Sequence, residues 1–270
     1  MTTPKKALTI AGIDCSGGAG VLADIKTFQE RDVYGLCANT VQVAMDPATW
    51  GHLIHPLDIE VVREQIRTAW AIGVDAAKTG MLPSAELIRE VGRMLKEAGQ
   101  NNIVIDPVMV CKGANVPVFP ENTIAMKEAL MPLAEVTTPN TFEASQLADM
   151  DELKSEDDLA EAARRINALG ARNVIIKAAR IFKDKAVDML FDGKEFVWLK
   201  EPRLDTKWTH GAGCSFSACV TAELAKGCTV RQAFLNAHEY LRAALEESFP
   251  FNNITGPVYH HALAKRRHGE

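Results

Sequence analysis

Leu8-Thr9-Ile10-Ala11-Gly12-Ile13-Asp14-Cys15-Ser16-Gly17-Gly18-Ala19-Gly20-Val21 changes character twice within a short span. An apolar run comes first, a glycine turn follows, and a helical pattern opens near Val21. Strand, glycine turn and helix start in that order make a βα unit, and glycines at such a turn let backbone approach a ligand closely. A purely structural βα turn would use the same residues. The turn is not a Walker-type phosphate loop, because no Gly-Lys-Ser/Thr follows. It also matches a dinucleotide fingerprint only in its first half, through Gly18-Ala19-Gly20.

Outward from this segment the same rhythm repeats. Strand candidates are Leu8 to Ala11, Ala38 to Ala44, Ile103 to Ile105, Glu135 to Thr138 and Val174 to Ile176. Between and after them, Ile59 to Ile72, Ala85 to Ala98, Glu156 to Leu169 and Val230 to Glu247 place apolar residues three and four apart, as helices do. Ser155 and Gly170 supply an N-cap and a C-terminal stop for the third of these. Alternating strands and helices predict an α/β fold, a central mainly parallel sheet flanked by helices on both faces. One small antiparallel hairpin breaks the pattern: Val187 to Phe191, a type I′ turn at Asp192-Gly193, then Glu195 to Leu199. Without an internal repeat or a linker, and with Pro202 to Trp208 read as a loop, residues 1–270 are expected to form a single domain.

Composition narrows the function. The 270 residues are 47% hydrophobic and 24% charged, with a formal net charge of −5. The only basic block is the tail Lys265-Arg266-Arg267, so neither nucleic acid nor an anionic membrane is an expected partner, and a small ligand is. The apolar stretch after Lys6 is far short of a signal region or a membrane span, which implies a cytoplasmic chain. Cys15, Cys37, Cys111, Cys214, Cys219 and Cys228 show no CxxC pairing and read as free thiols.

A second glycine cluster, His210-Gly211-Ala212-Gly213-Cys214, precedes the apolar helix Ser215 to Leu224. Gly211, Ala212 and Gly213 would turn consecutive N–H groups toward one point at the positive end of that helix, an anion hole suited to the β- and γ-phosphates of a nucleotide. A thiol in a first helical turn is expected to have a lowered pKa, which would let Cys214 act as a base. The same residues also read as a glycine-rich loop packed under a core helix with a buried cysteine.

Ala11-Gly12-Ile13-Asp14, Gly17 to Gly20, Ala23-Asp24-Ile25-Lys26-Thr27, Lys78-Thr79-Gly80-Met81, Asp106-Pro107-Val108-Met109-Val110, Thr138-Pro139-Asn140 with Glu143, and His210 to Cys214 occur in that order. Together they resemble the ribokinase superfamily, in its branch of hydroxymethylpyrimidine kinases and the pyridoxal kinases similar to them. The resemblance spans nearly the whole chain. It implies a ribokinase-like fold, ATP and Mg²⁺ as cofactors, and transfer of the γ-phosphate to a hydroxymethyl group on a vitamin-sized heteroaromatic ring. It also implies Cys214 as the base where sugar kinases carry aspartate. Asn140 and Glu143 would organise Mg²⁺ and its waters, with Asp106 close by. Lys177 would meet ATP phosphates, Gly213 would help hold them, and Asp188 would lie in the nucleotide pocket. Asp14, Gly20, Asp24, Met45, Met81, Val108 and Cys111 would line the acceptor site, and a homodimer is what relatives suggest.

Two departures choose the acceptor. Met45 stands where pyrimidine kinases place a glutamine, and a thioether cannot replace an amide's paired donor and acceptor. Cys111 stands where they usually carry alanine; its thiolate can add reversibly to the aldehyde of pyridoxal as a hemithioacetal, whereas hydroxymethylpyrimidine has no aldehyde. A small apolar residue of a flap would look the same. Pyridoxal is therefore the expected acceptor and hydroxymethylpyrimidine the alternative, with a non-catalytic binding protein on the same fold as the remote one. Ala178-Ala179-Arg180 replaces a usual pair of glycines, and Cys228 and His238 replace lysines, so no nucleotide contact is assigned to these positions.

Overall fold

The computed structural model describes residues 3–109, 120–178 and 181–268. Its first strand, β1 (Lys6–Asp14), is buried along nearly its whole length, as a central strand covered on both faces must be. Chain order continues through α1 (Gly20–Glu30), β2 (Tyr34–Met45), β3 (His52–Pro56), α2 (Ile59–Ile72), β4 (Ala76–Thr79), α3 (Ala85–Glu97) and β5 (Ile103–Ile105). Then come α4 (Pro120–Ala125), which runs on through a π turn and a 3₁₀ turn, β6 (Val136–Thr137), α5 (Thr141–Leu147), α6 (Glu156–Ala168) and β7 (Asn173–Lys177). β8 (Lys185–Phe191), β9 (Phe196–Pro202), α7 (Ala212–Ala225), α8 (Val230–Glu246) and α9 (Ala262–His268) complete the described chain.

The strands form one nine-stranded sheet in the order β3-β2-β1-β4-β5-β6-β7-β8-β9. From β2 to β7 the neighbours are parallel, while β3 at one end and β8 and β9 at the other are antiparallel. One face packs Leu8, Ile10, Ala77 and Ile105 against α2, α3 and α6. The other packs Val104, Val136, Ile175 and Leu190 against α7 and α8. α7 is buried on nearly every side, which explains why its sequence is apolar all round rather than amphipathic.

The strand–helix alternation agrees with the sequence reading, which names no helix at α4, α5 or α9 and differs further at three places in the sheet. β4 escapes it because Ala76-Ala77-Lys78-Thr79 carries a lysine and few β-branched residues; position between β1 and β5 makes it a strand, not propensity. β3 escapes it because four of its five residues are exposed and no apolar alternation marks it. The β8–β9 connection is a four-residue loop, since Phe191 pairs with Phe196. Only Gly193 in it has positive φ, so a type I′ turn is excluded; instead Asp192 accepts hydrogen bonds from the N–H groups of Lys194 and Glu195.

A buried ion pair ties α1 to α7. Arg31 Nη2 lies 2.7 Å from Glu223 Oε1, with both side chains almost fully enclosed. Burial opposes the charge on Glu223, but hydrogen bonds from Lys226, Arg31 and Asn236 prevail and pull its carboxyl down to about 2. Removing one partner of such a pair strands the other. Arg31→Met is therefore expected to cost ~3–5 kcal/mol of stability in urea unfolding, and a loss near zero would contradict the assignment. For the wild type, the sign follows from the depressed folded-state value: the Glu223 contribution is complete above the ordinary glutamate range and is lost as pH falls toward about 2.

Candidate active site

Chain order reverses at β1: β2 pairs on one side and β4 on the other. In open α/β sheets a crevice forms there at the carboxyl ends of the strands. Almost every motif residue singled out in the sequence sits at those ends. Asp14 closes β1, Gly80 and Met81 follow β4, Asp106 follows β5, Asn140 follows β6 and Lys177 closes β7.

The two glycine clusters meet in this crevice. Asp14 Oδ2 lies 2.7 Å from His210 Nε2 and accepts from Ser16 Oγ and Ala19 N, while Oδ1 accepts from Ser16 N. Burial works against the carboxylate, yet the bonds from His210 and Ser16 keep its pKa below the ordinary aspartate value. Asp14, expected to line the acceptor site, has both carboxylate oxygens bonded within the protein and clamps the two loops together. The two backbones touch so closely that a Cβ on Gly211, which has φ +77°, would fall inside the carbonyl of Gly18. At the start of α7, no side chain caps the helix. The first turn thus keeps the polarity of an anion site.

Below the loops lies a dry charge pair. Lys78 Nζ donates to Asp24 Oδ2 at 2.8 Å, Thr9 Oγ1 donates to the same oxygen at 2.6 Å, and both ionic side chains are 0% exposed. Asp24, also expected to touch the acceptor, is wholly enclosed and lines no surface. Burial disfavours the Lys78 ammonium, but Asp24, with Cys214 and Asp106 beyond it, more than compensates and raises its pKa. Cys214, in the first turn of α7, corrects the expectation of an acidic thiol. The residue is half-buried, and burial together with the charge of Asp24 pushes its thiol up to about 12, against Lys78 and the N–H of Gly20. The helix start is outweighed here by desolvation and two nearby carboxylates, Asp24 and Asp106.

A polar group borders the thiol. Asp106 Oδ2 accepts from Ser217 Oγ at 2.9 Å, and its Oδ1 lies 3.5 Å from Lys177 Nζ. The Lys177 ammonium reaches the anion loop: a Cβ on Gly213 would lie 3.6 Å from it. Asn140 bridges to Lys177 across the ends of β6 and β7. Its side chain accepts from Glu143 N while Glu143 Oε2 accepts from Asn140 N, a capping box that starts α5 and points the acid at Asp106 and Lys177. Burial pushes Glu143 up to about 7, opposed by Lys177 and reinforced by Asp106. Asp188 stands directly opposite Lys177 in the β7–β8 ladder, so the two side chains share a face, and it binds His238 Nδ1 at 2.9 Å.

Of the residues expected to hold the acceptor, Gly20 opens α1, Met45 ends β2, Met81 follows β4 and Val108 follows β5. A Cβ on Gly20 would collide with the Gly12 carbonyl, and one on Gly12 would lie 3.6 Å from Met81 Sδ. Thr40 Oγ1 donates to the Met81 carbonyl and fixes that turn. Met45 ends β2 opposite His52. Cys111, with Val110, Lys112 and Gly113, lies outside the described residues, as do Ala179 and Arg180. Sequence reasoning missed Lys78 as a charge beneath the thiol, His210 as the partner of Asp14, and Ser217 as the donor to Asp106. Lys78 carried the one available signal, an ammonium inside an otherwise apolar βα unit.

Among the described residues, no group of three or more His, Cys, Asp or Glu side chains is arranged to hold a metal ion, and no helix is long and apolar enough to cross a membrane. The phosphomethylpyrimidine kinase family profile matches residues 14–259. A pyridoxine kinase of Bacillus subtilis is 55% identical, covering 96% of both chains. The hydroxymethylpyrimidine/phosphomethylpyrimidine kinase of the same organism is 43% identical, again over 96% of each. The pyridoxal kinase of Staphylococcus aureus in complex with AMP-PCP and pyridoxal superposes with a TM-score of 0.93 at 42% identity, covering 98% of this chain and 96% of that one.

The protonated state of Cys214 is directly measurable. With no nucleotide present, iodoacetamide near pH 8 should label the exposed Cys15 at least about tenfold faster than Cys214, read by peptide mass spectrometry. Equal rates would show that the thiol is far more acidic than its surroundings allow.

Proposed function

The chain belongs to the phosphomethylpyrimidine kinase family, and we propose that it transfers the γ-phosphate of Mg·ATP to the 5-hydroxymethyl group of pyridoxal, and of pyridoxine and pyridoxamine, with residues 1–270 acting as one kinase domain. The observation that carries this reading is the convergence, at the carboxyl ends of the parallel strands, of the Cys214 thiol, the uncapped start of α7, Lys177, Asp106 and Glu143. Relatives with both pyridoxine kinase and pyridoxal kinase descriptions support the acceptor.

Phosphoryl transfer needs positioning and charge neutralisation more than covalent help from the protein. Gly211, Ala212 and Gly213 would cradle phosphate oxygens at the helix start, and Lys177 would add a positive charge beside them. Asp188 lies on the same sheet face as Lys177 and would border the nucleotide. Asp106 and Glu143, with Asn140, fit Mg²⁺: two carboxylates leave room for water and phosphate oxygens, which this ion prefers to a full protein cage. When bound, the ion would neutralise phosphate charge. Gly20, Met45, Met81 and Val108 would hold the ring. Cys111 would add to the aldehyde carbon of pyridoxal through sulfur, the aldehyde oxygen taking the proton, and so tether the substrate.

Cys214 would take the proton of the acceptor hydroxyl as that oxygen bonds to phosphorus. Only the thiolate can accept it. Lys78 and the Gly20 N–H favour that form, while burial and Asp24 oppose it and win in the ligand-free chain. A base held mostly protonated makes kcat/KM rise with pH. Its logarithm is expected to climb with slope near one between about pH 7 and about pH 9, and Cys214→Ala should be silent; a flat profile with an active variant excludes this base. Cys111→Ala should lower turnover of pyridoxal much more than of pyridoxine, which has no aldehyde. Equal losses on the two substrates would remove the covalent tether from the account. Preference for hydroxymethylpyrimidine over both would move the chain to the second reading, which its 43% identity to the pyrimidine kinase keeps open.

A further inference from the structure

At the far end of β2 the chain makes a tight, well-bonded reversal. Asp46 Oδ1 accepts from Ala48 N, Thr49 N and Thr49 Oγ1, and backbone bonds join Asp46 N to Gly51 O and Trp50 N to Asp46 O. This fixes the register of the β2–β3 hairpin, in which Met45 pairs directly with His52. Directly opposed residues of an antiparallel pair project on the same face, so His52 stands beside Met45 at the acceptor end of the crevice. Met45 offers that face only a thioether, a weak acceptor. His52 brings a ring with two nitrogens.

One of those nitrogens has no partner among the described residues: His52 Nδ1 is buried and makes no hydrogen bond to them. A buried polar atom left unpaired is a penalty the folded chain carries, and native proteins rarely keep one without a use. The charges that act on this ring are Asp14 and His210, the clamp between the two glycine loops. Burial, helped by His210 and opposed by Asp14, lowers the His52 pKa, so at neutral pH the ring is neutral and offers one donor and one acceptor nitrogen. The rest of β3 is exposed at the edge of the sheet.

We propose that His52 is a specificity-determining residue of the acceptor site, its Nδ1 hydrogen-bonding the ring hydroxyl that pyridoxal, pyridoxine and pyridoxamine share and that hydroxymethylpyrimidine lacks. The assignment rests on the kinase reading above. It makes the polar selection of the ring a property of the β2–β3 hairpin rather than of Met45.

The test compares pyridoxine with 3-deoxypyridoxine, which keeps the ring nitrogen and the reacting hydroxymethyl group but loses the ring hydroxyl. In the wild type and in His52→Ala, KM and kcat are measured for both. The expected result is a rise of about tenfold in KM for pyridoxine with kcat little changed, no change in KM for the deoxy analogue, and partial recovery with pyridoxine in His52→Gln, whose amide can still bond. Thermal unfolding of each variant separates this from a packing defect. Unchanged KM for pyridoxine overturns the proposal. Equal rises for both compounds overturn it too, since the contact would then be to another part of the ring. A wild-type protein that phosphorylates neither compound takes the kinase reading and this inference down together, which distinguishes that failure from the other two.

Discussion

Asp14 and His210 come from opposite ends of the chain and meet at 2.7 Å in a buried spot. Around that bond the two glycine turns lie backbone against backbone, closely enough that a side chain on Gly18 or Gly211 would overlap the other turn. The contact dictates much of the rest. It places the N-terminus of α1 beside the N-terminus of α7, brings the Gly20 N–H to the Cys214 sulfur, and leaves no room for a residue larger than glycine at the crossing. Because α7 is buried on almost every side, its first turn has little freedom to move once the clamp is made.

Beneath this clamp the electrostatics balance in a way that the sequence conceals. Asp24 and Lys78 neutralise each other in a dry interior, with Thr9 as a third partner. Buried pairs of this kind are weak evidence for stability, because desolvation offsets much of their attraction. Here the pair also acts on the thiol, Asp24 raising and Lys78 lowering its pKa. The helix start alone would have made Cys214 acidic; burial beside Asp24 and Asp106 outweighs it. The proposed base is thus held in its acid form until the surrounding charge changes.

The alternation of short strands and periodic helices made the parallel sheet readable, and the ends of most elements fell within a few residues. Elements that depend on position rather than composition did not show: β4, a strand that contains a lysine, and β3, an exposed edge strand that begins at His52. The same division holds at the site. Glycine clusters and Cys214 were legible because their spacing has few other uses. Asp14 and Asp24 were legible as important but not in their place, since nothing in a linear pattern says that one carboxylate will turn to His210 and the other to Lys78. Asn140 and Glu143 show a third case, a local capping box, so a structural motif and a proposed functional one occupy the same residues.

The central claim is that this crevice moves a phosphoryl group onto a hydroxymethyl oxygen. Incubating the wild-type chain with Mg·ATP and pyridoxal, and following phosphorus by ³¹P NMR, tests it without reference to any variant. The account predicts one new phosphate monoester, on the 5-hydroxymethyl oxygen, formed in equal amount with ADP. ADP accompanied only by inorganic phosphate, or no turnover at all, would contradict it.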